Sequence, residues 1–299
     1  MNRNAAWLFI AVSVFWGIPY ALIRIALEGF DPAAIVLVRV SIGALVLIPI
    51  AARRPGALKA ALKKWPWVLA FGVIEMAGPW ILLTSAEQHI SSSLAGLLIG
   101  AVPFFALPLA YFMGDKTVFH PKTITGLVVG FGGLVALAGI DSFTGHLDPI
   151  WLGAMILACL GYAIAPAIAS AKLDSESSIA VVGLSLAMVA VIYAIPGGAA
   201  LSSSISANPP TASWLALLGL GVLCTAAAFT CFFQLISHIG SARATMVVYP
   251  NLAVAFLLGI VFLKEPITTG FLIGVPMVIV GSWLATQRHE SKTRTAAKA

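Results

Sequence analysis

Apolar residues along this chain of 299 residues occur in long continuous runs, and most polar residues lie in the short stretches between the runs. Each run is close to the roughly 20 residues that an α-helix needs to cross the hydrocarbon core of a bilayer. None alternates strictly between apolar and polar residues, as strands of a transmembrane barrel would. The pattern predicts ten transmembrane helices, over residues 5–27, 33–52, 65–86, 92–113, 122–140, 149–171, 178–197, 212–236, 242–263 and 267–286.

Composition places the chain in the same class. Hydrophobic residues make up 60% of it, charged residues only 9%, and the mean hydropathy is +1.02. A soluble domain carries about a quarter charged residues, and a disordered chain has few apolar ones. No small-residue cleavage pattern followed by a soluble domain comes after the first run, so we interpret it as a spanning helix rather than a signal peptide. We therefore expect an all-α integral membrane protein in contact with the lipid bilayer.

The distribution of Lys and Arg predicts the orientation. If the N-terminus is cytoplasmic, fourteen of these residues lie on the inner side, most densely in 53–64, and only Lys264 lies in an outer loop. Such an excess is typical of cytoplasmic loops. We expect a multi-pass membrane protein with both termini in the cytoplasm. Because the charges lie in short loops and the tail, no nucleic-acid partner is predicted.

The second half of the chain repeats the first. Residues 69–96 align without gaps to residues 218–245, at an offset of 149, which pairs Gly72 with Gly221 and His89 with His238. "TGLVVG" at 125–130 also matches "TGFLIG" at 269–274. We interpret the chain as a tandem duplication, with one five-helix repeat in 1–143, a second in 144–287, and a basic cytoplasmic tail in 288–299.

Five helices is an odd number, so the second copy must enter the membrane from the opposite side. The predicted fold is therefore two inverted five-helix repeats (5+5). Inverted repeats are typical of secondary transporters, in which they generate outward-open and inward-open states from equivalent contacts.

Several stretches resemble the EamA-type drug/metabolite transporter superfamily. They are "TSA…HISSSLAGLL…P" in the first half, "SARATMVVYPNLAVAFLLGIVFLKEPIT" in the second, and the position of Arg39 early in the second span. The resemblance covers about residues 5–286, and within the superfamily it is greatest to YddG-type bacterial exporters of aromatic and other amino acids. Asp115 departs from the pattern, since the family usually has Glu there. The resemblance implies export of small metabolites, amino acids foremost, across the bacterial inner (plasma) membrane.

Breaks inside the helices indicate where a substrate binds. Proline within a span removes a backbone hydrogen bond and frees a carbonyl, and such breaks recur at similar places in the two halves. Aromatic rings, an amide and a carboxylate accompany them. We expect a central cavity lined mainly by the first, third and fourth helices of each half. The predicted substrate-binding residues are Trp16, Pro19, Tyr20, Glu75, Met76, Pro79, Trp80, Pro103, Tyr162, Pro166, Phe229, Tyr249, Pro250 and Asn251.

Two ionisable side chains inside the predicted spans each allow two interpretations. Glu75 either carries a coupling proton or meets a substrate amine, or else it faces an aqueous cavity or bonds a neighbouring helix. Arg39 either attracts a substrate carboxylate or forms a structural pair, and its depth and the family resemblance favour the structural pair.

Gly126 with Gly130, and Gly270 with Gly274, allow close helix packing within the bundle or across a dimer. We expect a monomer or a homodimer.

The sequence contains no phosphate-binding loop, no His-Glu-x-x-His and no Gly-x-Ser-x-Gly. Its three cysteines lie separately in apolar runs, which indicates neither a metal site nor a disulfide framework. No catalytic residue, metal or cofactor is predicted.

One alternative to an amino-acid exporter is a multidrug or other metabolite exporter of the same fold. The other is a membrane-embedded enzyme or scaffold, and the duplication disfavours this second alternative.

Overall fold

The structure, a computed structural model, describes residues 3–90, 95, 98–115, 118–138, 148–263 and 269–286. The predicted 143/144 repeat boundary, the tail and the "KEPIT" segment lie outside these residues.

All regular elements described are helical. The helices of the first half are α1 (Arg3–Gly17), α2 (Pro19–Leu27), α3 (Pro32–Ala52), α4 (Ala57–Lys63), α5 (Trp65–Gly72), α6 (Gly78–Ala86), α7 (Val102–Phe112) and α8 (Pro121–Ala138). Those of the second half are α9 (Pro149–Lys172), α10 (Ser178–Ser206), α11 (Thr211–Gly221), α12 (Ala228–Ile239), α13 (Ser241–Ala244), α14 (Val248–Leu263) and α15 (Thr269–Thr286).

The helices coincide with the predicted runs. Six helical segments are long and apolar enough to cross a membrane: Arg3–Leu27, Pro32–Ala52, Trp65–Ala86, Pro149–Lys172, Ser178–Ser206 and Thr211–Ile239. Four shorter apolar helices fall within the other four runs: Val102–Phe112, Pro121–Ala136, Thr245–Ala255 and Leu272–Ala285. The prediction of an all-α membrane protein with ten spans in two repeats is confirmed.

The seventh helix is longer than predicted. The apolar run ends near residue 197, but α10 continues to Ser206. The added turns contain serines whose hydroxyls bond back to the helix, from Ser203 to the Ala199 carbonyl (3.2 Å) and from Ser206 to the Ser202 carbonyl (3.0 Å). These hydroxyls find acceptors within the helix itself, so the polar extension is compatible with a helix that hydropathy alone would end.

Helix packing repeats between the two halves. The first helix, α1, packs against α12 and α14, the eighth and ninth helices. Its counterpart α9 packs against α6 and α7, the third and fourth. The second and seventh helices pack against each other, as do the fifth and tenth. A two-fold axis that exchanges the halves produces this set of contacts, as expected for inverted repeats.

The third helix of each half contains a π-helical segment. Val73–Ala77 joins α5 to α6, and Val222–Ala227 joins α11 to α12. The two segments begin 149 residues apart, which is the offset of the sequence alignment. Each follows a glycine at a close helix contact, because a Cβ at Gly72 would lie 3.1 Å from the Ser185 carbonyl and one at Gly221 would lie 2.5 Å from Ile42. The duplicated sequence thus forms the same local structure twice.

The two fifth helices, α8 and α15, pack through glycine. A Cβ at Gly126 would lie 2.5 Å from the Ala285 nitrogen, and one at Gly133 would lie 2.8 Å from the Gly274 carbonyl. A Cβ at Gly281 would overlap the backbone of Gly130. Of the two interpretations of the glycine pairs, packing within the bundle is the one observed between α8 and α15.

We predict that Gly281→Val strongly destabilises the protein, because the added side chain must separate two helix backbones. Overpacking of this kind typically costs about 1–3 kcal/mol. The matched control is Gly153→Val in α9, where an added Cβ meets nothing within 4 Å. The melting temperature of the purified protein in detergent would measure both. Equal losses in the two variants would contradict close packing at Gly281.

Candidate substrate-binding site

A pocket with about 730 Å³ of empty space, its open mouth included, lies between the two halves of the bundle. Its wall comes from the first, third and fourth helices of each half, as predicted, and from Arg39 of the second. The lining residues are Trp16, Pro19, Tyr20, Arg39, Glu75, Trp80, Leu83, Ile99, Val102, Tyr162, Pro166, Phe229, Phe232, Thr245, Val247, Val248 and Asn251.

Five of the fourteen predicted binding residues do not line this pocket: Met76, Pro79, Pro103, Tyr249 and Pro250. The clearest case is Tyr249, which is completely buried. Its ring lies against Gly130, and its hydroxyl donates to the Leu127 carbonyl at 3.4 Å. Tyr249 therefore packs α14 against α8. Met76 is likewise fully buried, and the Pro79 ring lies against Gly161 of α9.

Aromatic rings form one side of the pocket. The Trp16 ring centroid lies 4.6 Å from that of Phe232 and 5.5 Å from that of Phe229, and Trp80 lies 6.3 Å from Phe229. These spacings suit edge-to-face and tilted contacts between rings. Trp80 and Phe229 are 149 residues apart in the sequence, as are Leu83 and Phe232. The repeat alignment already pairs Leu83 with Phe232, one helical turn after Trp80 and Phe229, so it could have identified Phe232.

The π-helical segments supply backbone acceptors beside the pocket. A π segment shifts the helix hydrogen bonds, as in the bond from the Gly78 amide back to the Val73 carbonyl. Side chains of other helices bond to carbonyls in or next to these segments. The Trp16 indole donates to the Cys224 carbonyl at 3.2 Å, and the Tyr193 hydroxyl donates to the Ala77 carbonyl at 2.8 Å. These bonds hold the first and seventh helices against the two broken helices.

Arg39 is fixed on the pocket wall by contacts with both halves. Its Nε donates to the Thr225 hydroxyl at 2.9 Å, and that hydroxyl in turn donates to the Leu220 carbonyl at 2.8 Å. The centre of its guanidinium group lies 3.6 Å from the centroid of the Trp80 ring, a cation–π arrangement. The structural pairing expected of Arg39 is present, and the same residue also lines the pocket.

A carboxylate and an amide on the pocket wall each have an oxygen atom with no hydrogen-bond partner in the part of the chain that the structure describes. Glu75 and Asn251 are 4% and 5% exposed. Neither the Glu75 Oε2 atom nor the Asn251 Oδ1 atom has a hydrogen-bond partner among the described residues. A buried oxygen without a partner costs about 1–3 kcal/mol, more when it is charged. Both oxygens are therefore suited to accept hydrogen bonds from a bound molecule.

The inverted helical repeats and the pocket between them define a membrane transporter. The chain belongs to the EamA-like transporter family, whose pattern matches it twice, over residues 3–139 and 149–287. This confirms the resemblance found in the sequence. The protein is a transporter and not an enzyme.

The relatives and the fold agree with this assignment. The probable terminal-alkyne amino-acid exporter of Streptantibioticus cattleyicolor is 24% identical over 98% of this chain and 97% of the exporter. YvbV of Bacillus subtilis, an uncharacterized transporter, is 26% identical over 99% of this chain and 95% of its own length. A protein of known crystal structure, 18% identical, has the same fold with a TM-score of 0.75 over 96% of this chain and 98% of its own.

We predict that Thr225→Val destabilises the protein more than Thr230→Val does. The first change leaves the buried Arg39 Nε without its acceptor, at a cost of about 1–3 kcal/mol. The second removes a hydroxyl that bonds only one turn back, to the Ala226 carbonyl at 2.8 Å. Melting temperatures in detergent would compare them. An equal decrease would mean that the Arg39–Thr225 bond contributes nothing measurable.

Proposed function

We propose that this protein exports amino acids, aromatic ones included, across the bacterial inner membrane by alternating access, with both termini in the cytoplasm. The observation that carries the proposal is the composition of the pocket. Among the described lining residues, Arg39 is the one cation and Glu75 the one carboxylate, and the rest of the wall is mostly aromatic and aliphatic.

This arrangement complements a zwitterion. In our proposal Arg39 binds the substrate carboxylate, since a guanidinium group donates a fork of hydrogen bonds that matches two carboxylate oxygens. Glu75 and Asn251 accept from the substrate ammonium group with the oxygens that have no partner among the described residues. A polyanion such as a nucleotide sugar would bring several negative charges to a wall whose described lining has a single cation.

The aromatic wall accommodates the substrate side chain. The Trp16 ring lies against Phe229 and Phe232, the Trp80 ring lies near Phe229, and all four residues line the pocket. Contact between aromatic rings contributes about 0.5–1.5 kcal/mol beyond the area buried. Such a wall favours bulky apolar side chains without excluding small ones. The proposed selectivity is broad and the affinity weak.

Two further observations support the proposal. The relative from Streptantibioticus cattleyicolor is described as a probable exporter of amino acids that carry a terminal alkyne, and it matches nearly the whole chain. The exchange of helix contacts between the halves is the arrangement from which inverted-repeat transporters obtain two states by moving one repeat against the other.

The test is counterflow in liposomes that contain only the purified protein. Vesicles loaded with unlabelled solute would be given labelled amino acids, sugars, nucleotides and quaternary ammonium compounds in turn. We expect accumulation of phenylalanine and threonine and none of nucleotides. Accumulation of quaternary ammonium compounds without any amino acid would instead indicate a multidrug exporter.

We predict that Trp80→Ala lowers phenylalanine counterflow more than threonine counterflow, because it removes a ring that only the larger side chain can contact. The expected selective loss is about 3–10-fold, which corresponds to one aromatic contact. Trp7→Ala, at a tryptophan that is 65% exposed, is the matched control and should leave both rates unchanged. Equal losses for the two solutes in Trp80→Ala would contradict the aromatic subsite.

We predict that Glu75→Gln reduces the effect of a pH gradient on transport, if Glu75 carries a coupling proton, and weakens substrate exchange without abolishing it, because the amide oxygen can still accept from the substrate ammonium group. The amide keeps the shape of the carboxyl group but cannot take up a proton. Fluxes with and without a pH gradient would be compared in both proteins, with Glu28→Gln at an exposed carboxylate as the control. An unchanged gradient effect in Glu75→Gln would contradict a coupling role and assign Glu75 to the substrate alone.

A further inference from the structure

A second buried carboxylate, Glu87, lies outside the pocket. It directly follows α6, at the end of the third helix that the proposed topology places on the outer side of the membrane. Only 7% of the residue is exposed, although Glu28 and Asp31 in the neighbouring outer loop are exposed. Neither oxygen of Glu87 has a hydrogen-bond partner among the described residues. The proposed substrate site does not use this group.

The surroundings of Glu87 connect it to the pocket. Tyr20 lies close enough to interact with it electrostatically, and Tyr20 lines the pocket. Tyr20 also interacts electrostatically with Cys159 of α9 and Arg39 of α3, and these are the other helices that pack against α6. Arg24 of α2 is the cation that acts on Glu87 directly, but its own side chain is exposed. Glu87 is therefore next to the outer part of the pocket.

The burial of Glu87 has an electrostatic consequence. An ionised carboxylate removed from water, with no hydrogen bond to either oxygen, is strongly disfavoured relative to the neutral acid. Burial raises the pKa of Glu87 to about 8, and the charge of Arg24 offsets only part of this effect. His89, on the same connection, gives neither Glu87 oxygen a hydrogen bond, and its ring stacks on that of Trp151 with the centroids 4.1 Å apart.

We propose that Glu87 is a proton-binding site that couples closure of the outer side of the pocket to the pH on that side. The carboxyl group holds a proton while it is buried, as in this structure, and loses the proton to water when the outer ends of the helices separate. The proposal rests on alternating access, which is part of the proposed function. It is separate from the role of Glu75, which lines the pocket itself.

The direction of the pH effect follows from linkage. A solvated glutamate has a pKa of about 4.3. Glu87 therefore binds a proton when the outer side closes, at any pH between that value and its raised pKa of about 8. Each unit of rising pH in this interval therefore shifts the equilibrium towards the open form by up to about tenfold. Above the interval the shift ends, because the closed form has then also lost its proton.

Cys159 is a native probe of this opening. Its thiol is buried and donates to the Leu98 carbonyl of the fourth helix at 3.1 Å, across the contact between the halves. Separation of the outer ends would expose it to a maleimide. The reaction would be measured on purified protein in nanodiscs, where both sides are accessible, by mass spectrometry of the peptide that contains Cys159. The substrate does not enter the measurement, so its outcome is independent of the amino-acid assignment.

We predict that the labelling rate of the wild type, divided by that of Glu87→Gln at the same pH, rises at least about tenfold between about pH 6 and about pH 8. The pH dependence of the thiol reaction itself cancels in the ratio. Glu28→Gln, at an exposed carboxylate, should follow the wild type. Should the glutamine variant fail to fold, Glu87→Met, which has a similar length and no titratable group, gives the same comparison. A ratio that stays constant with pH would overturn the proposal and leave the counterflow test unaffected.

Discussion

Inside a bilayer, each backbone amide and carbonyl needs a hydrogen-bond partner within the protein, because the hydrocarbon offers none. A helix can be interrupted only where another part of the chain, or water in a cavity, bonds the groups that the interruption frees. In this protein the π-helical segments at Val73–Ala77 and Val222–Ala227 meet that condition next to the pocket. The Trp16 indole and the Tyr193 hydroxyl bond to carbonyls of these segments from other helices.

The same constraint positions the polar groups of the pocket. Glu75 belongs to the first π segment, and Thr225, the partner of Arg39, belongs to the second. The two segments occupy the same position in the two repeats, so the carboxylate and the guanidinium group each lie at a break in a third helix. The charged groups and the broken helices are therefore one structural feature.

Much of this arrangement could be predicted from the sequence, and the parts that could not have physical reasons. Run lengths and the repeat predict ten helices and a duplicated unit, because hydropathy and self-similarity are properties of the chain itself. Whether a particular aromatic residue faces the pocket depends on how far its helix is rotated, and hydropathy does not record this when all faces are apolar. Tyr249 was predicted for the pocket for this reason, whereas it packs against Gly130.

The role of Arg39 shows a different limit. Its sequence position predicts a buried cation in need of a partner, but Thr225 is 186 residues away along the chain, and the π segment that contains it has no signature in composition. In the repeat alignment, Thr225 of the second repeat occupies the position of Met76 in the first. Only an alignment combined with the three-dimensional structure brings these residues together.

The glycine contact between α8 and α15 also bears on how such a transporter can move. Where two backbones touch, a small sliding displacement meets peptide groups at once, and no side chains are present to change rotamer and absorb it. We expect the fifth and tenth helices to keep their relative position through the transport cycle and to act as a fixed frame. The remaining helices would then tilt against that frame.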